Sequence, residues 1–308
     1  MSDERYEFDE INLTEIIKSL LSYRRFLIIF NMILFIILTI SLMLIPNQYE
    51  TKSIFVVKTD PGATQSSMSL LGGLSSFGLS DFSLQTSAVE RHEIVSAQIQ
   101  SREFLQYLIK DKDILINMYA AKSFDKKYNQ IIFDEDVYDS KLKSFIDKDQ
   151  NIIPSPDMDD LFVKYLSMIN VSRNKQSGIM QLSVTHYSPY FAYQLCNLIL
   201  DSIDRLNRKN KMIEVEDSIR YLEENYISAK ESEIKESISA LIKSNIEYLM
   251  LANVKKEFLI EIIDNAYIPK YKSSPERATL LFLGMSLSIL FSIFITFIHK
   301  YFLLSYKK

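Results

Sequence analysis

The sequence predicts an α+β membrane protein in which two transmembrane helices flank a single extracytoplasmic domain. Three observations predict this. Two uncharged apolar runs lie near the two ends of the 308-residue chain, β-type segments stand beside both of them in sequence, and no glycine or proline occurs from Tyr190 to about Lys256.

The first run, Phe26 to Ile45, has twenty residues without a charge. At about 1.5 Å per helical residue it matches a hydrocarbon core roughly 30 Å thick. The second, Ala278 to Ile298, is as apolar and ends at His299 and Lys300. A cleaved signal peptide has a basic start and a small-residue cleavage site, whereas an acidic head precedes Phe26 and no A-x-A follows. Arg24 and Arg25 abut the first span, and Lys300, Lys307 and Lys308 follow the second, so both termini read as cytoplasmic. Lys270, Lys272 and Arg277 oppose this reading, but long segments translocate largely regardless of charge. Residues 46–277 are then extracytoplasmic. The ten residues after Ile298 leave no room for a signalling module, which argues against a sensor.

Asn12-Leu13-Thr14-Glu15 has capping-box spacing, and Leu13, Ile16, Ile17 and Leu20 follow at helical spacing, predicting a short amphipathic helix. Tyr49 to Lys58 is rich in β-branched and aromatic residues and reads as a strand. Asp60 to Ser87 holds four of the six glycines and many serines; loops of this length are functional or disordered. Ser87 to Lys112 suits one or two helices, and Lys122 to Asp149 reads as helical or irregular. Another short helix is expected from Asp157 to Tyr165. Met168–Asn174 and Ile179–Tyr187 alternate about Gly178 and predict a β-hairpin.

Pro189 then opens the longest element. Leu195, Ile199, Ile203 and Leu206, followed by Met212, Val215, Ile219, Leu222 and Tyr226, form a coiled-coil-like seam that pauses between Tyr226 and Glu233. A second stripe, Ile234, Ile238, Leu241, Ile242 and Leu249, is expected to fold back, making a long helical hairpin over about 188–256. Phe258 to Ile268 reads as a final strand, and a segment bounded by Pro269 and Pro275 leads to the second span.

Composition excludes several functions. Lys+Arg 35 against Asp+Glu 39 gives a net charge of −4, leaving no basic surplus for a nucleic-acid backbone. One cysteine, Cys196, and three scattered histidines supply neither a disulfide framework nor a zinc module. No Walker-type or G-x-G-x-x-G loop is present, so no nucleotide cofactor is expected. Asp134-Glu135-Asp136 and Asp157-Met158-Asp159-Asp160 read as solvated acids, His186 as a structural residue and Cys196 as a small core residue. No catalytic, cofactor-binding or metal-ligating residue is assigned.

The remaining candidates concern the membrane. Gly284, Ser288, Ser292 and Thr296 recur every four residues, which either presents a small-residue packing face or reflects the ordinary frequency of Ser and Gly in spans. Asn31 either hydrogen-bonds another helix or sits shallow at the wet edge.

Several stretches, taken in order, resemble the Wzz-type chain-length determinants, the polysaccharide co-polymerases of bacterial envelopes. They are the acidic DEINL start, the pair Arg24-Arg25, the first span followed by Pro46 and the Tyr49-Glu50 strand, the stretch VSRNKQSGIMQLSVTHYSPYFAYQLCNLILDSI, and YIPKYKSSPERA before the second span. The pre-span segment departs from the family in holding only Pro269 and Pro275. The resemblance implies an inner-membrane, non-enzymatic regulator of O-antigen or related polysaccharide length. It implies a homo-oligomeric ring with a membrane-proximal α/β base in the periplasm and long projecting helices, acting with a membrane polymerase on a polysaccharide or lipid-linked glycan. An export-linked co-polymerase partnering an ABC transporter is the alternative within the superfamily. A periplasmic adaptor of a secretion system also joins a helical hairpin to β structure, but commonly has a single anchor.

Overall fold

The computed structural model describes residues 23–58, 86–147, 149 and 151–306. The helix expected after Asn12 lies outside them, as does the serine-rich loop except Thr86 and Ser87, which open a helix. The chain divides into two units, Met1–Asn47 with Ser273–Lys308, and Gln48–Lys272.

The larger unit is built on an antiparallel sheet ordered β7-β8-β1-β9. Strand β1 (Tyr49–Val57) lies between β8 (Met180–His186) and β9 (Ile260–Asp264), with Tyr49 opposite His186 and Val57 opposite Ile260. β7 (Ile169–Arg173) flanks the other side of β8. Tyr49, Thr51, Ser53, Phe55 and Val57 are all buried, as the two-residue period of a strand requires when one face meets the core. The register of β1 with β9 shifts between Ile54 and Phe55. Beyond the shift, hydroxyls replace ladder bonds: Ser53 Oγ donates to Asp264 O at 2.7 Å and Thr51 Oγ1 to Tyr267 O at 2.6 Å. The final strand is thus shorter than the expected Phe258–Ile268.

The first half of α6 (Pro189–Ser228) covers the sheet. Ser188 is its N-cap, accepting from Phe191 N–H at 3.3 Å, and Pro189 at the first helical position needs no N–H partner. Leu195, Cys196, Ile199 and Ile203 are fully buried against Phe55, Leu182 and Val184. Each such side chain contributes roughly 1.5–3 kcal/mol by leaving water. Burial pushes the Cys196 thiol up to about 12. Four further helices join this core: α2 (Thr86–Ile99), α3 (Arg102–Leu108), α4 (Lys112–Tyr119) and α5 (Met158–Met168). The buried Tyr165 hydroxyl of α5 donates to Ile99 O at 2.8 Å, tying α5 to the end of α2.

Ser87 to Lys112 holds two helices, α2 and α3, as expected. Ser101 and Asp111 both act as N-caps, so α3 follows α2 and α4 begins where the reading ended. The stretch from Lys122 to Asp149 is neither helical nor irregular: it holds β2 (Ala121–Asp125), β3 (Gln130–Phe133), β4 (Tyr138–Asp139) and β5 (Ser144–Ile146), with β6 (Ile152–Ile153) completing a small sheet.

Three of the hairpins, β2–β3, β4–β5 and β7–β8, share one turn chemistry. The Asp125 carboxylate accepts the N–H groups of Lys127 and Tyr128, and Asn129, four residues on, has φ 52°. Asp139 likewise accepts from Lys141 and Leu142, with Lys143 at φ 51°. Asn174 accepts from Gln176 and Ser177, with Gly178 at φ 70°. An Asx side chain closes each turn and a left-handed residue returns the chain.

Beyond Asp204, α6 leaves the sheet, and Val215 is its one buried residue there. It spans about 60 Å at 1.5 Å per residue and ends at Ser228, within the interval where the seam pauses. α7 (Ser232–Val254) packs back along it. The inward positions of α7 are Ile238, Ile242, Asn245, Leu249 and Ala252, whereas Ile234 and Leu241 of the expected stripe face outward, 46% and 49% exposed. Their spacing fits a helical face, but the true stripe is centred one position round the helix and includes Asn245, which donates to Ser218 Oγ at 3.2 Å.

The smaller unit holds α1 (Arg24–Leu44) and α8 (Arg277–Tyr306). Both are long and apolar enough to cross a bilayer, with mean hydropathy 2.8 over Arg24–Leu44 and 2.4 over Arg277–Ile298.

Candidate functional site

In the smaller unit, α1 and α8 run antiparallel, because Asn31 meets Ser288 and Ser292, Leu38 meets Gly284, and Ile45 meets Arg277. Asn31 Nδ2 donates to Leu27 O at 2.8 Å and to Ser292 Oγ at 3.0 Å, while Asn31 Oδ1 accepts from Ser288 Oγ at 2.7 Å. Ser292 Oγ donates in turn to Ile289 O at 2.8 Å. Both amide hydrogens and the amide oxygen of Asn31 therefore have partners, as a polar group in hydrocarbon requires. One turn further along, the helices approach so closely that a Cβ on Gly284 would lie 2.5 Å from Leu38 Cδ2. Ser292 and Thr296 are buried on the same face.

At the other end, Arg277 Nη2 donates to Ile45 O at 3.1 Å, capping a carbonyl that the end of α1 leaves without a helical partner. Arg24 and Arg25 are exposed in the first turn of α1. Pro269 and Pro275 are both buried but fall in different units, and the Ser274–Pro275 peptide is cis. The eight sequence candidates thus do not form one cluster. Asn31, Gly284, Ser288 and Ser292 meet, Arg24, Arg25 and Pro275 stand elsewhere in the smaller unit, and Pro269 belongs to the larger one.

A second polar constellation, in the larger unit, was not anticipated from sequence. Asp204, almost wholly buried on α6, accepts the N–H groups of Phe258, Leu259 and Ile260 at 3.0, 2.6 and 3.2 Å. Arg208, one turn on, pairs with Asp204 at 3.2 Å and donates to Ala252 O at 3.2 Å and Lys256 O at 2.8 Å. The pair gathers the carbonyls at the end of α7 and the amides entering β9, closing the hairpin at its root. Its signal in the sequence is an acid–base pair four residues apart that begins next to Ile203, within the apolar seam.

His186 is a third fixed point. Its Nδ1 accepts from Ser188 N–H at 3.0 Å, which leaves Nε2 to carry the proton and donate to Asn117 O at 3.0 Å. Burial lowers its pKa to about 4, so it is neutral and structural. Of the acidic runs, Asp134 is held down by its hydrogen bond from Lys122, and Asp159 pairs with Arg102.

Scans against family models and curated proteins give no match. Among solved structures, the chain is similar to a full-length bacterial polysaccharide co-polymerase, with 10% identity and a TM-score of 0.41, covering 94% of this chain and 98% of that one. It is also similar to a fragment of WzzB, the polysaccharide co-polymerase of Salmonella Typhimurium, with 11% identity and a TM-score of 0.30, covering 74% of this chain and all of the fragment.

Proposed function

We propose that this chain is a non-catalytic regulator of surface-polysaccharide chain length in the bacterial inner membrane, working as a homo-oligomeric scaffold beside a membrane polymerase. The observation that carries the reading is one of chain layout. The strands nearest in sequence to the two spans, β1 and β9, are hydrogen-bonded neighbours in one sheet, and the long α6–α7 hairpin is inserted between them. This agrees with the family-like motifs that run through the sequence in order. Exposed Ile213, Ile227, Leu241, Ile246, Met250 and Val254 along the hairpin support self-association, since large apolar side chains concentrated on a projecting element favour burial against other copies. In this reading both termini are cytoplasmic and the larger unit is periplasmic. The interspan contact of Asn31, Gly284, Ser288 and Ser292 holds the two membrane helices in register.

The test is deletion of the gene followed by electrophoresis of the cell's lipopolysaccharide. Polymer persists but its modal length spreads, because the polymerase remains without its regulator. Complete loss of polymer would point instead to an enzyme or an obligatory export component. Reporter fusions within residues 60–87 and after Lys308 test the topology; the first reports a periplasmic position and the second a cytoplasmic one.

A further inference from the structure

A groove of about 550 Å³ opens between the β2–β3 hairpin, α4 and the first turns of α6. Its lining contains no Asp, Glu, Lys or Arg. Four residues that carry side-chain amides line it, Asn117, Asn129, Gln130 and Gln194, and none of those amides has a hydrogen-bond partner among the described residues. Two rings, Phe124 and Tyr190, stand side by side there with centroids 6.5 Å apart, and Tyr190 is 50% exposed.

The elements that bring these groups together are rigid. Tyr190 and Gln194 lie one turn apart on the same side of α6, whose start is fixed by the Ser188 cap. Asn117 is held by the His186 hydrogen bond to its own carbonyl. Asn129 sits at the left-handed position that returns the β2–β3 turn, a conformation Asn tolerates well. The nearby Lys126 ammonium lies 5.1 Å from the Tyr49 ring centroid and does not line the groove.

Amides that both donate and accept, placed around aromatic faces with no charge, match the chemistry of a pyranose. Its hydroxyls each donate and accept, its C–H face is apolar and carries partial positive charge, and aromatic faces are electron-rich. A lipid would meet too many amides, and an anionic ligand would find no cation. The volume lies within the roughly 300–1,000 Å³ usual for small-ligand sites.

We propose that this groove binds a neutral stretch of the polysaccharide, contacting sugar rings through Phe124 and Tyr190 and sugar hydroxyls through the four amides. The assignment deepens the length-regulator reading and rests on it for the identity of the glycan. The full chain, purified in detergent, is titrated with chitohexaose and maltohexaose, and with a hexamer of galacturonic acid as the charged comparison, using saturation-transfer NMR. At least one neutral hexasaccharide binds saturably. Tyr190→Ala and Gln194→Ala, both at exposed positions, each weaken that binding by about five-fold or more, as loss of a stacking face or a bonded amide entails. Tyr221→Ala, far along the same helix, leaves it unchanged. Failure of both neutral sugars to bind, stronger binding of the charged hexamer, or full binding by the Tyr190 and Gln194 variants at unchanged helical content overturns the proposal. Groove binding together with an unaltered polymer length in the deletion strain would leave the site standing and sink the regulator reading. A broadened length in that strain with no groove binding would do the reverse.

Discussion

Asp204 Oδ1 accepts the N–H of Leu259 at 2.6 Å, joining residues 55 positions apart in sequence. The same carboxylate accepts two further backbone N–H groups and pairs with Arg208, so one buried acid organises the return from α7 into β9. Removing it leaves amides that the fold keeps from water and an Arg208 without its counter-charge.

Asp204→Ala should therefore destabilise the protein by about 2–4 kcal/mol, the range for breaking a largely buried pair that also satisfies backbone donors. Asp204→Asn should cost less than half of this, because the amide oxygen still accepts. Thermal unfolding of the detergent-solubilised chain checks both values. Equal Tm values for the Ala variant and the parent would remove the carboxylate from any structural role.

The approach of Gly284 to Leu38 makes a covalent test available. Cysteines introduced as Leu38→Cys and Gly284→Cys would face each other across the contact in which Leu38 Cγ lies 3.5 Å from a Cβ built on Gly284, and a short bifunctional thiol cross-linker should join them and shift mobility on non-reducing gels. The native Cys196 should not interfere, since its buried thiol, pushed up to about 12, stays protonated and shielded. Absence of the shifted band, with both thiols alkylated on denaturation, would separate the two helices.

Replacing Gly284 and Ser288 together with Leu should force the spans apart, because helix association in a bilayer depends on close van der Waals fit and a few hydrogen bonds, here of about 0.6–2 kcal/mol each. The expected result is a broadened modal band on a lipopolysaccharide gel at normal protein level, with cross-linked oligomer ladders largely kept. An unchanged modal length would show that the interspan contact has no part in length control.

His186 sets a pH dependence. It is neutral in the fold with its pKa lowered to about 4, against about 6.5 when unfolded, so the unfolded chain binds the extra proton. The stabilisation is complete above pH 6.5 and is lost progressively as the pH falls towards 4, by an amount of order 3 kcal/mol. Comparing Tm between pH 7.5 and 4 for the parent and for His186→Gln isolates this residue, and the variant should show the shallower decline.

The β7–β8 hairpin is legible in the sequence because Gly178 announces its left-handed turn residue. The β2–β3 and β4–β5 hairpins use the same turn with Asn129 and Lys143 in Gly178's place, so a reading keyed to glycine passes over them. The informative signal is the Asx residue four positions earlier, Asp125 or Asp139, which sits among other acids and looks like a solvated charge. The inward stripe of α7 is misplaced for a related reason. Asn245 belongs to it and is polar, so apolar spacing alone draws the face one position aside, to Ile234 and Leu241. In the membrane unit, the four-residue recurrence from Gly284 to Thr296 is written in the sequence. That Leu38 and Asn31 are what it meets depends on helix rotation, which is set only when the two helices pack.

The Asp204–Arg208 pair fastens the outgoing and the returning chain at the same place, so residues 209–251 form a peninsula with a single isthmus. A peninsula can be lengthened or cut back by whole helical turns on both shores without disturbing the mainland. The reach of the hairpin is thus a dimension that the sheet and its core leave free, and related chains could differ in it while sharing one base.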